Sequence, residues 1–473
     1  MTVEGWDEGC RPLPFQRPTE PPLTLALSPK GERGFGSFSP LGGEGWDEGV
    51  GHCRFRGPPD RPSPRPSPRR GEGVITPSLL EKSAGVNDAQ GACFKNIMEK
   101  RFLITSEGFG ALLAELASAG HTLIGPVVRD GAIVYDEIHG LHDLPAGWGD
   151  AQDAGRYRLQ TRGDGALFAY NSSPMAWKKF LHPPSLTLWR ARRDGEGFQI
   201  GAEQEEAPRY AFIGVRACDL RAIAIQDRVL MDGPCPDPHY AARRRKAFIL
   251  AVQCAQAGGT CFCASMDCGP RASAGFDLAV TELLQPEHCF LVEVGTEAGN
   301  RVLARVPHRV AGEAEWQAAL QATEDARAQM GRRMDTRSIK TLLYDSAEHP
   351  RWAQTAQRCL SCANCTMVCP TCFCTAIEDH TDLDGGEAWR VRRWDSCFTS
   401  QFSYIHGGVI RAGTAARYRQ WLTHKLAAWQ DQFGSSGCVG CGRCIAWCPE
   451  GIDITEEVAA IRAAHQNETG EDA

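Results

Sequence analysis

The sequence lacks a hydrophobic run long enough to cross a membrane, and it lacks an excess of basic charge. No apolar stretch of about 18 residues occurs, and the N-terminus has no apolar core of a secretory signal. The net charge is −7 and the isoelectric point is near 6.0, which leaves no basic footprint for a nucleic acid or an anionic membrane. We therefore expect a cytoplasmic protein whose partners include neither nucleic acid nor membrane.

Several short catalytic and nucleotide-binding motifs are also absent. No GxGxxG loop follows a predicted strand and no GxxxxGK[ST] loop occurs, so nothing local supports nucleotide binding. The absence of a GxSxG elbow and of an HExxH helix weakens a hydrolase hypothesis. Histidines such as His380, His406 and His424 lack the spacing of a metal site. The chemistry must be sought in cysteine, of which there are 21.

The first 97 residues differ from the rest in composition. They hold 14 of the 29 prolines, with runs such as RPSPRPSPRRGEG, and no pattern there can form a core. We expect 1–97 to be a disordered extension and Met98, where periodic structure begins, to be the true start. The segment resembles translated intergenic repeat DNA, and an authentic disordered tail is the alternative. Its three cysteines, Cys10, Cys53 and Cys93, are therefore set aside as ligands.

Strand and helix patterns alternate between residues 98 and 335. Apolar runs on both sides of the RDG turn at 129–131 predict a hairpin, and the segments AFIGV, DLRAIAIQDRVL and KAFILAVQC predict a strand, a helix and a strand. We expect a mixed α/β domain here. A surface or linker helix follows Glu313, and a second domain is predicted over 336–473.

Two copies of one cysteine motif mark the second domain. Each copy has the spacing CxxCxxCxxxCP; the cysteines are Cys359, Cys362, Cys365 and Cys369, and then Cys438, Cys441, Cys444 and Cys448. In two-cluster ferredoxins, three cysteines of such a run hold one [4Fe–4S] cube and the fourth ligates the other cube. Zinc also uses paired CxxC motifs, but it has no role for a third cysteine followed by CP in both copies.

This exchange of the fourth cysteine defines two sites. The first site consists of Cys359, Cys362, Cys365 and Cys448, and the second site consists of Cys438, Cys441, Cys444 and Cys369. Each is expected to hold one [4Fe–4S] cluster. The segment between the motifs has helical periodicity, and residues 338–460 resemble the α-helical ferredoxin domains of respiratory and heterodisulfide-reductase-type subunits.

Motifs outside the two copies carry a resemblance to one family. They are WKKFLHPP at 177–184, VRACDLRAI around Cys218, CFCAS at Cys261 and Cys263, GFDLAVTEL at 275–283 and CPTCFCTAIED after the first copy. Over about 100–460 the chain resembles the β subunit of cytoplasmic sulfhydrogenase-type NiFe hydrogenases and the A subunit of anaerobic sulfite reductase.

The resemblance implies an electron-transfer subunit that makes and breaks no substrate bonds itself. Such a subunit relays electrons between a flavin-containing NAD(P)H diaphorase subunit, which carries the FAD, and a catalytic partner. That partner is either a NiFe hydrogenase or a sirohaem sulfite reductase, and the shared motifs do not distinguish the two.

Four upstream cysteines are a candidate third site. Cys218 follows one predicted strand and Cys254 ends the next, so adjacent parallel strands would place both at one sheet edge, with Cys261 and Cys263 on the following loop. These four thiols are hypothesised to hold a third [4Fe–4S] cluster. The alternative is that Cys218 and Cys254 are small buried hydrophobic residues. Cys268 departs from the family pattern, and Cys235 and Cys289 are interpreted as single structural thiols.

Three surplus cysteines, Cys372, Cys374 and Cys397, are not needed for two cubes. They either form a redox-active or potential-tuning site or pack around the first cube. A heterodisulfide-reductase-like catalytic reductase that uses them is an alternative function, although its CCG motifs are missing. An iron–sulfur sensor is a further alternative, but no DNA-binding helix or basic patch supports it.

Overall fold

A computed structural model describes residues 101–171, 173–195, 197–202, 206–402 and 404–469. The expected extension 1–97 and the expected start at Met98 lie outside these residues. All the described residues belong to one compact unit. None of their helices is long and apolar enough to cross a membrane.

The strands and helices follow in chain order. The strands are β1 Arg101–Thr105, β2 Thr122–Arg129, β3 Ala132–Glu137, β4 Trp148–Asp153, β5 Arg156–Thr161, β6 Ser185–Asp194, β7 Gly197–Ala202, β8 Tyr210–Val215, β9 Phe248–Val252, β10 Leu278–Leu283, β11 Cys289–Val294, β12 Arg309–Val310, β13 Thr375–Thr381, β14 Glu387–Trp394, β15 Tyr404–Ile405 and β16 Gly408–Val409. The helices are α1 Ser106–Ser118, α2 Lys178–Leu181, α3 Ala217–Leu230, α4 Pro238–Lys246, α5 Glu297–Leu303, α6 Glu313–Ala328, α7 Ile339–Asp345, α8 Arg351–Arg358, α9 Asn364–Met367, α10 Thr414–Thr423, α11 Trp429–Phe433, α12 Arg443–Ala446 and α13 Ile454–Thr469. Short 3₁₀ turns span Leu141–Asp143 and Cys263–Met266, and a π-helical turn spans His424–Ala428.

An eight-stranded mixed sheet organises the first part of the described chain. Its order is β12-β1-β11-β10-β9-β8-β2-β3, with β2, β8, β9 and β10 mutually parallel. The predicted hairpin is β2–β3, and its two turn residues, Asp130 and Gly131, have φ of 51° and 71°, as a type I′ turn requires. The predicted strand, helix and strand are β8, α3 and β9, with α4 inserted before β9. The expected α/β fold is confirmed.

The core of this part lies between the sheet and α1. Residues of α1 at helical spacing, Phe109, Leu112 and Leu116, are completely buried, and the Phe109 ring stacks on Phe290 of β11 at 4.6 Å between centroids. This packing fixes the sheet against one helix layer. The opposite face of the sheet carries α3 and α4 around Phe212.

The C-terminal part is mainly helical, as expected. Its core is built by α7, α8, α10, the π-helical turn and α13. One element differs from the expectation, because β13 and β14 form a hairpin between the two cysteine motifs and β14 pairs with β6 of the first part. The resulting sheet has the order β13-β14-β6-β7. The two parts therefore share a sheet as well as side-chain contacts.

Candidate iron–sulfur sites

The two copies of the cysteine motif have the same backbone conformation. Two residues in each copy are left-handed, with φ of 52° at Ser361 and 67° at Ala363 in the first copy and of 67° at Gly440 and 73° at Gly442 in the second. The third cysteine then lies in a four-residue helix, α9 or α12. Left-handed serine and alanine are strained, and such strain concentrates at ligand sites. Each cysteine loop therefore curves around a single space between its cysteines.

The first site surrounds a cavity that is partly open to solvent. All four of its cysteines line the cavity, and so does Cys444 of the second site. Burial raises the pKa of Cys365 well above its ordinary value, and the neighbouring Cys359 and Cys448 thiols raise it further. Ionised thiols so close together would repel one another, and bound iron would remove that repulsion by supplying positive charge. Cys362 is exposed, so this site reaches the surface.

The second site is more enclosed. Cys369, Cys438 and Cys441 are buried, and Cys444 is partly buried. Burial raises the pKa of Cys444 well above its ordinary value, and the other three thiols of the site add to the rise. The structure therefore brings together one cysteine from the first motif and three from the second.

The repeated CxxCxxCxxxCP spacing favours a polynuclear cluster over a single zinc ion. Across the described ranges, no three His, Cys, Asp or Glu side chains are close enough together to hold one metal ion. A zinc site would require four sulfurs at about 2.3 Å from one point, whereas a cube keeps its thiolates farther apart. The thiols line a space rather than converge on a point.

Two buried donors at the first site also fit a cluster. Tyr418 Oη and Trp421 Nε1 are buried without a hydrogen-bond partner among the described residues, and both side chains line the cavity. Buried polar groups are rarely left unsatisfied. Sulfides of a cluster in the cavity would accept hydrogen bonds from them, an interaction that tunes cluster potential.

A buried lysine contacts the second site. Lys425 Nζ lies 3.1 Å from Cys369 Sγ, 3.2 Å from Thr371 Oγ1 and 3.6 Å from Cys372 Sγ. Burial alone would lower the pKa of Lys425, but the Cys369 and Cys372 thiols raise it well above its ordinary value. Lys425 lies in the π-helical turn, a conformation found frequently at functional sites. The negative charge of cluster ligands is a natural counter-charge for this ammonium group.

The candidate third site is a second cavity. All four predicted cysteines line it, together with Arg216 and with Cys441 of the second site. Cys218 lies in the first turn of α3 after β8, and Cys254 follows the neighbouring parallel strand β9. The sheet edge therefore places these thiols as the strand order predicted.

Charge and burial at the third site also suit a metal cluster. Arg216 Nη1 lies 3.8 Å from Cys254 Sγ, and Arg216 Nη2 donates to the carbonyls of Phe168 at 2.7 Å and Tyr170 at 2.9 Å. Burial raises the pKa of Cys261 to about 12. Bound iron would hold these cysteines as thiolates, and their negative charge would then lie beside the buried Arg216 guanidinium.

The second site lies between the other two. Cys441 lines the third cavity and Cys444 lines the first, although both belong to the second site. Main-chain contact explains the close approach to the third site, because Phe262 N donates to Gly440 O at 2.9 Å. A Cβ on Gly440 would lie 2.6 Å from Phe262 O, and one on Gly442 would lie 2.2 Å from Thr260 O. The glycines of CVGCGRC are needed for this contact.

An ion pair fixes the same junction. Arg443 of α12 and Asp219 of α3 are both fully buried and form two hydrogen bonds, of 2.8 and 3.1 Å. Arg443 Nε donates to Ser173 O at 2.9 Å. Sequence reasoning missed this pair and Lys425, because nothing in the local pattern links residues so distant along the chain.

The remaining cysteines fall into two groups. Cys372 contacts Lys425, and Cys374 and Cys397 are neighbours at the base of the β13–β14 hairpin. Cys268 donates to Met266 O at 2.9 Å, Cys289 is buried on β11, and Cys235 is exposed. None of these six lines either cavity.

Comparisons with known proteins agree with the geometry. A family model described as a 4Fe-4S dicluster domain matches residues 358–452, which contain both motifs. Sulfhydrogenase 2 subunit beta of Pyrococcus furiosus is 30% identical over 366 residues, which is 76% of this chain and 97% of that protein. The similarity is too long to be confined to the dicluster region, so it includes the α/β part. The chain is an iron–sulfur protein that binds [4Fe–4S] clusters, and it belongs to the family of sulfhydrogenase β subunits.

Proposed function

We propose that this protein carries electrons between a flavin-containing NAD(P)H diaphorase subunit and a catalytic subunit of the same complex. The observation that carries the proposal is the sharing of cysteines between neighbouring cavities, Cys441 toward the third site and Cys444 toward the first. When bound, [4Fe–4S] clusters supply one-electron redox chemistry. A row of three such sites is an arrangement suited to conduction through the protein.

The residues of the chain would hold and insulate the clusters. We assign one cluster to the first site, one to the second and one to the third, each with its four cysteines as ligands. Lys425 and Arg443 place positive charge beside the second site, and Arg216 does so beside the third. The surrounding core, with Phe262, Ile445 and Leu422 completely buried, excludes water from the central part of the row.

The site chemistry supports transfer rather than catalysis. Four protein thiolates on each cluster leave no open iron position for a substrate. No nucleotide-binding loop occurs, so the FAD is assigned to the diaphorase partner. The relative's name supports a hydrogenase as the terminal partner over a sirohaem sulfite reductase.

Reconstitution of the complex tests this proposal. Anaerobically purified chain should pass electrons from NAD(P)H to the catalytic subunit only when the diaphorase subunit, this chain and the catalytic subunit are all present. A variant that lacks a ligand of the second site, Cys441→Ser, should abolish transfer while each partner keeps its activity with an artificial carrier. If the isolated chain reduced sulfite or polysulfide from an artificial donor, the heterodisulfide-reductase-like alternative would replace this proposal.

A further inference from the structure

The hairpin between the two motifs holds two surplus cysteines together. Cys374 immediately precedes β13, and Cys397 lies shortly after β14. The register pairs Thr375 with Trp394, and Asp395 N donates to Cys374 O at 2.8 Å, so the ladder closes the base of the hairpin. The thiols of Cys374 and Cys397 lie close enough for each to shift the pKa of the other.

Two buried lysines and two cluster sites lie near this pair. Lys425 and Lys178 both act to lower the pKa of Cys374, although burial lowers the pKa of Lys178 itself. Lys178 Nζ donates to Cys372 O at 3.0 Å and lies 3.9 Å from the Trp394 ring centroid. Within the described residues, neither lysine forms a salt bridge with a carboxylate. The charge of Lys425, whose pKa is raised by the neighbouring thiols, is available to a thiolate.

The two thiols differ in a way that suits disulfide chemistry. Interaction with Cys397 lowers the pKa of Cys374 to about 7, with further help from the two lysines, against the opposing effect of burial. The Cys374 thiol and burial raise the pKa of Cys397. Cys374 is therefore the nucleophilic member of the pair. Both residues are only partly buried, so small reagents can reach them.

The pair also borders the first site. Thr366 directly follows Cys365, a ligand assigned to that site, and Ser396 directly precedes Cys397; the Thr366 Oγ1 and Ser396 Oγ hydroxyls are hydrogen-bonded at 2.7 Å. On the other side, Lys425 contacts Cys369 of the second site. A two-electron couple thus lies beside two one-electron centres.

We propose that Cys374 and Cys397 form a reversible disulfide that exchanges two electrons with the clusters of the first and second sites. The inference rests on the proposed electron relay and adds a two-electron disulfide/dithiol couple to it. On reduction, the Cys374–Cys397 sulfur–sulfur bond breaks, two reduced clusters give one electron each, and protons from water convert the sulfurs to thiols. Above the pKa of Cys374 only Cys397 takes up a proton. Oxidation runs the same step backward, with two oxidised clusters as the acceptors.

Thiol trapping in the intact holoprotein tests the pair directly. The anaerobic protein is equilibrated in dithiothreitol redox buffers, quenched in acid and alkylated, and peptides are analysed by mass spectrometry. We expect a Cys374–Cys397 crosslink in oxidising buffers that disappears cooperatively as a two-electron couple. Photoreduced deazaflavin, a one-electron donor, should remove the crosslink in wild-type protein at least tenfold faster than in Cys365→Ser, which lacks a ligand of the first site.

Matched variants separate this inference from its rivals. Cys372→Ser should keep the crosslink, and exposed Cys235 should be alkylated in every buffer. Cys374→Ser and Cys397→Ser should lose the crosslink but keep the full iron content. Iron loss in these two variants would make the cysteines metal ligands and overturn the proposal, as would the absence of a crosslink at every potential. An equal reduction rate in Cys365→Ser would contradict the link to the clusters. Trapping needs no partner subunit, so failure of the electron relay would appear separately, in the reconstituted complex.

Discussion

Lys425 Nζ lies 3.1 Å from Cys369 Sγ, although the two residues are 56 positions apart in the chain. The ammonium group is buried and also donates to Thr371 Oγ1. A fixed positive charge beside a cluster ligand favours the state with one more electron. We therefore expect Lys425 to raise the reduction potential of a cluster at the second site.

Replacement of Lys425 by Met should lower the reduction potential of the second cluster. A unit charge at this range in a protein environment is equivalent to on the order of 100 mV for a one-electron couple. Potentiometric titration followed by electron paramagnetic resonance measures the shift. Lys425→Arg keeps the charge and is the control, and equal potentials in the Met variant and the wild type would refute this role.

Loss of the Asp219 carboxylate should weaken the junction between α3 and α12. Asp219→Asn leaves the Arg443 charge buried without its partner, which we expect to cost about 3 kcal/mol of unfolding free energy. Anaerobic chemical denaturation of the holoprotein measures it. Asp379→Asn removes an exposed partner of Arg390 and should cost less than about 1 kcal/mol. Equal losses of unfolding free energy in the two variants would mean that the buried ion pair stabilises the protein no more than the exposed pair does.

The alkylation of Cys374 should depend on pH with a midpoint near 7. The thiol faces Cys397, Lys425 and Lys178, whose combined effect lowers its pKa to about 7, so the reactive thiolate persists as pH falls until about that value. A small model thiol should instead show a midpoint near about 8.5. Rates of iodoacetamide labelling between acidic and basic pH give both midpoints. Coincident profiles would show that the local charges do not act on Cys374.

Much of the architecture was predictable because its signals are local. The CxxCxxCxxxCP spacing indicates a cluster loop within twelve residues, and the RDG turn specifies the β2–β3 hairpin through two left-handed residues. The parallel pairing of β8 and β9 followed from one helix between two apolar runs. In each case residues that are close together in the sequence determine the local structure.

Contacts between distant segments could not be predicted in the same way. Asp219 and Arg443 are 224 positions apart, and a single charged residue in either helix has the pattern of an ordinary surface residue. The β13–β14 hairpin was also missed, because its strands are rich in charge and their pairing with β6 depends on the tertiary fold. The glycines at 440 and 442 are sequence signals of one close backbone approach, the contact with residues 260–263.

Replacement of Cys441 by Ser should remove the second cluster and leave the first largely intact. Cys441 is assigned wholly to the second site, so iron per chain should fall by about four. Its thiol also lines the third cavity, and the third cluster should remain because its own four cysteines are unchanged. Iron analysis with Mössbauer spectroscopy measures both effects. Unchanged iron, or zinc in the wild-type protein, would overturn the assignment of ligands.

Iron per chain in anaerobically purified protein tests the row of three clusters most directly. Three [4Fe–4S] clusters predict about twelve irons per chain, and Cys261→Ser should cost about four of these while the spectra of the two C-terminal clusters persist. Cys289→Ser, a buried thiol away from both cavities, is the matched control and should keep all the iron. About twelve irons in the wild type and about eight in Cys261→Ser would support the account. About eight in both proteins would contradict it, and the row would then contain two clusters.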